Sequence, residues 1–125
     1  MAKAIFTSYF AVARKLPADL PQVSIARFEP RFWSPRGGRL TCKLLAPSVK
    51  LLQAFKAGDL SREDWAARYI EEVSRADNLE RAYESLLDGC VMLCWEADWG
   101  GCHRKLAWEL LHDHFGVTGG ELKVG

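Results

Sequence analysis

The alternation of hydrophobic and polar positions divides the chain into short strands and amphipathic helices. Residues 3–13 are rich in β-branched and aromatic side chains, and residues 22–26 and 40–45 also have the composition of strands, so three strands are predicted early in the chain. Residues 90–95 form a continuous apolar run of strand length, which is typical of a strand that is covered on both faces. This fourth strand is therefore predicted to lie inside a parallel sheet.

Four helices are predicted from apolar positions that recur every three or four residues. A serine or an asparagine is placed to cap the first three helices, and a glycine follows the first, third and fourth as a stop signal. The predicted spans are residues 48–55, 61–73, 78–88 and 102–115. Residues 117–125 are expected to form either a small additional strand or a frayed end.

The order of these elements predicts an α/β fold. Strands come first, helices intervene, and a buried strand precedes the last helix, so we expect a single three-layer α/β domain over residues 1–125 with a mostly parallel, Rossmann-like sheet. In such sheets ligands bind where loops leave the carboxyl ends of the strands. This rule indicates two places, the loop over residues 27–39 and the turn between Trp95 and Leu106.

Composition narrows the class of protein. The chain has 125 residues, of which 49% are hydrophobic and 26% charged, so it can bury one compact core. It contains no apolar run of about 18 residues, so no membrane association is expected. The first 17 residues lack the pattern of a secretory signal. We therefore expect a cytoplasmic protein.

The net charge of +1 conceals two halves of opposite charge. Residues 1–56 carry ten Lys and Arg against two acids, whereas residues 57–125 carry seven against fourteen. One interpretation is a basic surface in the first half that binds an anion. The alternative is a non-enzymatic interaction module, in which the oppositely charged halves pair with a partner or with a second copy as a homodimer. A third interpretation is that the acids only decorate solvated helix faces.

Cysteine usage predicts reduced thiols. The four cysteines occur in a chain without a secretory signal, so disulfides are not expected. A zinc site could be written from Cys90, Cys94, Cys102 and His103, but their spacing is not the paired arrangement that closes a tetrahedral site. The prediction is therefore four thiols, no metal and no cofactor.

The start of the last predicted helix carries unusual chemistry. Cys102, His103 and Arg104 stand at its amino end, where the helix dipole disfavours a cationic side chain. Either an anionic ligand compensates Arg104, or an acidic side chain of the chain itself does so, with Glu96, Asp98 and Glu109 as the candidates. A cysteine in this place could also act as a nucleophile, but adjacent helical residues point about 100° apart, so His103 is not expected to face Cys102.

The loop over residues 27–39 combines arginines with aromatic side chains. Arg27 and Arg31 could bind phosphate, and Trp33 could stack on a planar group. A tryptophan in such a place more often belongs to the core than to a stacking platform.

The segment VMLCWEADWGGCHRKLAWELL, residues 91–111, resembles the signature of the domain of unknown function 488 family of small bacterial, archaeal and phage proteins. Further similar segments occur at residues 5–11, 23–33, 44–58 and 65–73. The resemblance implies an α/β fold with a polar pocket and brings no established activity. It extends to single residues of this sequence, which are Leu93, Cys94, Glu96, Cys102, His103 and Arg104, and with less support Ser8, Tyr9, Arg27, Pro30 and Trp33.

Together these features predict a pocket at the carboxyl ends of the strands that binds an anionic small molecule, such as a nucleotide or another phosphate-bearing compound. A nucleic-acid base is a further candidate. An enzyme acting on this ligand would use Glu96 as acid, base or nucleophile, and would hold developing negative charge with Arg104 and Arg27. The candidate catalytic residues are Glu96, Cys102, His103 and Arg104, and the candidate ligand-binding residues are Ser8, Tyr9, Arg27, Arg31 and Trp33.

Overall fold

Over the residues that the structure describes, the sheet consists of five parallel strands. The computed structural model describes residues 2–97 and 102–123. The strands are, in chain order, β1 (Ala4–Tyr9), β2 (Gln22–Ser24), β3 (Leu40–Thr41), β4 (Cys90–Cys94) and β5 (Thr118–Glu121). They lie in the order β3-β2-β4-β1-β5, and each pair of neighbours is parallel. This arrangement confirms the predicted α/β class.

Four α-helices accompany the sheet, namely α1 (Val49–Lys56), α2 (Arg62–Val73), α3 (Asn78–Ser85) and α4 (His103–Phe115). The hydroxyls of Ser48 and Ser61 each accept an N–H hydrogen bond of 3.1 Å from the first turn of their helix, as the serine caps predict. Gly116 ends α4 with a φ of 70°, a left-handed conformation that favours glycine. None of the helices in residues 2–97 and 102–123 is long and apolar enough to cross a membrane.

The two faces of the sheet are covered differently. The larger core cluster packs side chains of the sheet, among them Ile5 and Met92, against all four helices, including Leu51 of α1 and Leu111 of α4. The smaller cluster on the other face packs Phe10 and Trp33 against Val91 and Leu93 of β4. Its cover is a 3₁₀ helix, Phe10–Lys15, together with the loop that follows β2.

β4 lies inside the sheet, as its apolar run predicts. It pairs with β1 on one side and with β2 on the other, and Leu93 is in register with both Ser8 and Ser24. All five of its residues are buried. Its carboxyl end therefore delivers the following residues to the middle of one edge of the sheet.

Several predicted elements differ in their bounds or in their caps. β1 ends at Tyr9, and the chain continues as the 3₁₀ helix. Phe10 and Ala13 are three residues apart, and in a 3₁₀ helix this spacing places both side chains on the same side, which here is the buried one. β3 is only two residues long and is followed by a second 3₁₀ helix, Lys43–Leu45. The cap of α3 is Asp77, not the predicted Asn78, and its side chain accepts no capping hydrogen bond.

β5 is the edge strand next to β1, and one of its two glycines approaches the backbone of β1 closely. Gly119 has a φ of 106°, and a Cβ atom there would lie 2.4 Å from the carbonyl oxygen of Ile5. This close approach brings Glu121 beside Thr7, whose hydroxyl donates a hydrogen bond of 2.7 Å to Glu121 Oε1. Of the two predicted outcomes for this part of the chain, the strand is the one observed.

Candidate functional site

A cleft of about 510 Å³ lies at the carboxyl ends of β2 and β4. Its walls come from the residues that follow these two strands and from α1, α2 and α4. Ligands bind at this edge in open parallel sheets, because loops leave the strands there. The described polar and charged residues that line it are Arg27, Lys56, Arg62, Glu96, Cys102, His103 and Lys105, and the aromatic ones are Phe28, Phe55, Trp65 and Trp95.

The cleft confirms that the two predicted loops converge. Arg27 follows β2, Glu96 follows β4, and Cys102 with His103 begins α4, yet all four line the same cavity. Arg27 is held in place by the backbone, since its Nε and Nη2 atoms donate to the carbonyl oxygens of Pro47 at 3.0 Å and Ala46 at 3.3 Å. The predicted turn residues 98–101 lie outside the described residues.

His103 is buried and its two ring nitrogens have different roles. Nε2 lies 2.7 Å from the carbonyl oxygen of Ile25, and a carbonyl oxygen can only accept, so Nε2 carries the proton of the neutral ring. Nδ1 lies 3.8 Å from Cys102 Sγ. Burial lowers the pKa of His103 to about 4, so the ring is neutral at pH 7.

The contact between His103 and Cys102 corrects the expectation that these neighbours point apart. Cys102 is the N-cap residue and has extended backbone angles, with φ of −123° and ψ of 152°. The rotation of about 100° between successive residues holds only inside a helix. The junction between cap and helix therefore allows the two side chains to meet.

Arg104 lies away from the cleft, which corrects its predicted place in an anion pocket. It is completely buried, and its guanidinium forms a bidentate ion pair with Glu121, with Nε 3.0 Å from Oε1 and Nη2 2.7 Å from Oε2. The remaining N–H groups are directed at Cys94 Sγ and at the carbonyl oxygens of Glu96 and Ala97. Among the described residues the compensating anion is thus the carboxylate of Glu121, which the sequence did not suggest, while Asp98, one of the three suggested carboxylates, lies outside the described residues.

Cys94 and Cys102 form a disulfide, so the prediction of four thiols is wrong. Their Cα atoms are 7.0 Å apart, and they stand eight positions apart in the sequence. The strand-turn-helix geometry brings the end of β4 and the start of α4 together, which sequence spacing alone does not reveal. Cys42 and Cys90 are free, as predicted, and both are buried.

The free thiols belong to the core. Burial raises the pKa of Cys90 to about 12 and also raises the pKa of Cys42. Both thiols are therefore protonated and unreactive at pH 7. The sulfur of Cys42 instead contacts the hydroxyl of Ser85 at 3.7 Å.

Three potential metal ligands lie together in this region. The ligand atoms of Cys94, Cys102 and His103 are all within 4.8 Å of one another. Cys90, which completed the zinc set written from the sequence, does not belong to this group. Thiolate sulfur and imidazole nitrogen are ligands that suit zinc, but the disulfide occupies both sulfurs.

The structure places the other predicted ligand-binding residues outside the described lining of the cleft. Ser8 is buried on β1, and its hydroxyl has no hydrogen-bond partner among residues 2–97 and 102–123. Tyr9 packs its ring 5.7 Å from Arg104 Cζ. Arg31 is exposed. Trp33 belongs to the core, where its Nε1 donates to Gln22 Oε1 at 2.9 Å.

The sequence did not predict the aromatic residues that line the cleft. Phe55 and Trp65 fall on the apolar stripes of α1 and α2, so periodicity assigns them to the core. Trp95 and Phe28 are more than half exposed, and Trp95 Nε1 donates to the carbonyl oxygen of Phe28 at 2.8 Å. One feature of the sequence could have indicated this role, which is that Trp95 directly follows a buried strand.

The model of the family described as Domain of unknown function DUF488 matches residues 10–111. The chain belongs to this family. The matched residues include the described lining of the cleft, whereas Glu121, the partner of Arg104, lies beyond them. No curated protein and no solved structure matches the chain significantly. Membership of DUF488 supports the resemblance seen in the sequence and assigns no activity.

Proposed function

We propose that this DUF488 protein binds an anionic small molecule with a planar ring, of the nucleotide class, in the cleft. The observation that carries the proposal is the combination of four cationic and four aromatic side chains around one cavity. Its volume of about 510 Å³ falls within the usual size of small-molecule sites. Its place at the carboxyl edge of a parallel sheet adds support.

The charge of the cleft favours an anion. Arg27, Lys56, Arg62 and Lys105 line it, against one carboxylate, Glu96, among the described lining residues. Lys105 is paired with Glu109 only at 3.6 Å and at an exposed position, where such pairs contribute little. The two backbone carbonyls that hold Arg27 reduce the entropy lost when its guanidinium binds a phosphate.

The aromatic side chains favour a planar group. Trp95 is 53% exposed, yet its indole N–H is fixed to the Phe28 carbonyl, so the ring is held in one orientation at the mouth of the cleft. Base–aromatic stacking contributes about 1–3 kcal/mol per base. Trp65 forms the inner wall and stacks at 5.6 Å on Tyr69, so it is held rigidly as well.

Catalysis would depend on Glu96 in this proposal. Its carboxylate is exposed at the end of β4, and its own carbonyl oxygen is fixed by Arg104. A carboxylate held at the edge of a cleft can transfer a proton to or from a bound ligand. His103 is less suited to this role, because Nε2 is committed to Ile25 and Nδ1 faces Cys102.

The proposal is tested by titrating the protein with adenosine monophosphate, adenosine and inorganic phosphate while intrinsic tryptophan fluorescence is recorded. The monophosphate should bind more tightly than either fragment. Lys56→Gln should weaken its binding about tenfold, since a charge-assisted hydrogen bond is lost. Lys50→Gln is the matched control, because Lys50 is exposed on the same helix and is not part of the described lining.

A second pair of variants tests the stacking platform by calorimetry, since it removes a fluorophore. Trp95→Ala should weaken binding of the monophosphate about tenfold, whereas Phe32→Ala, which removes another exposed aromatic ring, should not. The proposal would be refuted if the variant and its control in each pair weakened binding equally, or if none of the three probes bound. Tighter binding of a single-stranded oligonucleotide would assign the cleft to nucleic acid. Turnover that survives in Glu96→Gln would exclude the role of Glu96.

A further inference from the structure

The Cys94–Cys102 disulfide is unlike the two free cysteines in its surroundings. Cys42 and Cys90 are surrounded by the apolar core, whereas the disulfide lies between the cleft, an imidazole and a guanidinium. Charged and titratable neighbours of this kind occur at reactive cysteines, while structural ones are inert.

The two sulfurs of the disulfide differ in access. Cys102 lines the cleft and retains 7% of its exposure, whereas Cys94 is completely buried behind it. A thiol that enters the cleft therefore meets the sulfur of Cys102. Thiol–disulfide exchange requires in-line attack on one sulfur and departure of the other, so this asymmetry assigns Cys94 as the leaving group.

The leaving sulfur has a cation beside it. Nη1 of the Arg104 guanidinium lies 3.2 Å from Cys94 Sγ. A fixed positive charge stabilises the thiolate that forms as the S–S bond breaks, and a more stable leaving thiolate departs faster.

The attacked sulfur has a proton acceptor beside it. His103 Nδ1 lies 3.8 Å from Cys102 Sγ, and the bond from Nε2 to Ile25 leaves the lone pair on Nδ1. When Cys102 is released as a thiol, its S–H group can donate to this nitrogen. Both sulfurs of the reduced pair thus have a suitable partner already in place.

We propose that Cys94 and Cys102 form a reversible dithiol–disulfide couple that a thiol compound reaches through the cleft. The thiolate of an external dithiol attacks Cys102 Sγ, an S–S bond forms between them, and the bond to Cys94 breaks with its electron pair remaining on Cys94. The second thiol of the reductant then attacks the mixed disulfide and releases Cys102. Two electrons pass from the external dithiol to the protein, and the reductant leaves as a disulfide. The couple does not depend on which ligand the cleft binds.

The couple is tested on the full chain by equilibration in buffers of reduced and oxidised dithiothreitol, followed by alkylation of free thiols and intact-mass measurement. Two of the four cysteines should change together as one two-electron couple while circular dichroism stays native. Cys90→Ala should leave this equilibrium unchanged. A disulfide that resists reduction until the chain unfolds is structural and would overturn the proposal.

Two variants, each lacking one of the paired cysteines, test the assigned roles. With oxidised glutathione, Cys94→Ala should form a mixed disulfide at Cys102 at least tenfold faster than Cys102→Ala forms one at Cys94. Ultraviolet absorbance of Cys102→Ala should show the Cys94 thiolate at a pH where all three thiols of the same variant, unfolded in urea, are protonated. Equal rates, or the same titration folded and unfolded, would overturn the proposal. So would one tightly held zinc ion per chain in the reduced protein, because the cluster would then be a metal site.

Discussion

Arg104 and Glu121 form a buried ion pair that joins the start of α4 to the edge strand β5, with the closest atoms, Nη2 and Oε2, 2.7 Å apart. The side chain of Arg104 is completely buried, and that of Glu121 is 17% exposed. Burial of an arginine is tolerated only when its charge and its donors are compensated. This pair therefore fixes the guanidinium that donates to the carbonyl oxygens of Glu96 and Ala97, at the carboxyl end of β4.

The first prediction concerns this ion pair. Glu121→Gln should lower the free energy of unfolding by about 3–5 kcal/mol, because it removes the negative charge from one side of a buried, bidentate ion pair. Urea denaturation measures the loss. Glu109→Gln is the control, since the Lys105–Glu109 pair is exposed and should contribute less than about 1 kcal/mol. Similar losses in the two variants would show that Arg104 finds another partner.

The second prediction concerns the central strand. Leu93→Ala should lower the free energy of unfolding by about 2–5 kcal/mol, because Leu93 is completely buried in β4 and its truncation leaves a cavity. Leu87→Ala, at a position that is 49% exposed, should change it by no more than about 0.5 kcal/mol. A mild effect of Leu93→Ala would contradict the interior position of β4.

The third prediction concerns pH. Burial lowers the pKa of His103 from 6.5 to about 4, so the unfolded chain binds a proton more readily than the folded one between these values. The contribution of His103 to the free energy of unfolding is complete above about pH 6.5. It declines as the pH falls towards 4, by about 3 kcal/mol in total. Urea denaturation at several pH values should therefore show a steeper acid loss for the native protein than for His103→Asn. Parallel curves would mean that His103 titrates normally in the folded chain.

The fourth prediction concerns the two glycines of β5. Gly119 and Gly120 both have positive φ angles, of 106° and 113°, so alanine is strained at either position by about 1–3 kcal/mol. Only at Gly119 would the new Cβ atom also collide with the backbone of Ile5. Thermal unfolding should therefore show a clearly lower midpoint for Gly119→Ala than for Gly120→Ala. Equal midpoints would indicate that β5 can shift away from β1.

Patterns within short segments predicted most of the fold. The apolar run at residues 90–95 and the serines that cap α1 and α2 indicate their elements without tertiary information, because burial and capping act locally. The strand predicted through residue 13 failed for the converse reason. Phe10 and Ala13 are apolar in either conformation, and only packing against the sheet decides between strand and 3₁₀ helix.

The site was predicted only in part. The rule about carboxyl strand ends placed Arg27, Glu96 and His103 near one another correctly. Glu121 was missed as a partner of Arg104, because residues 117–125 were expected to form either a strand or a frayed end and therefore had no assigned place in the sheet. The disulfide was missed because the expectation for cysteines rested on the compartment and on spacing, neither of which reports the distance between two sulfurs in space.

The place of β5 beside β1 has a practical consequence for anyone who shortens this chain to the family match, which ends at residue 111. Such a fragment would lack β5, and the backbone N–H and C=O groups of β1 that β5 occupies would face solvent along an apolar strand. Unpaired edges of this kind template the addition of further strands from other molecules. The fragment should therefore aggregate more readily than a chain that extends through Glu121.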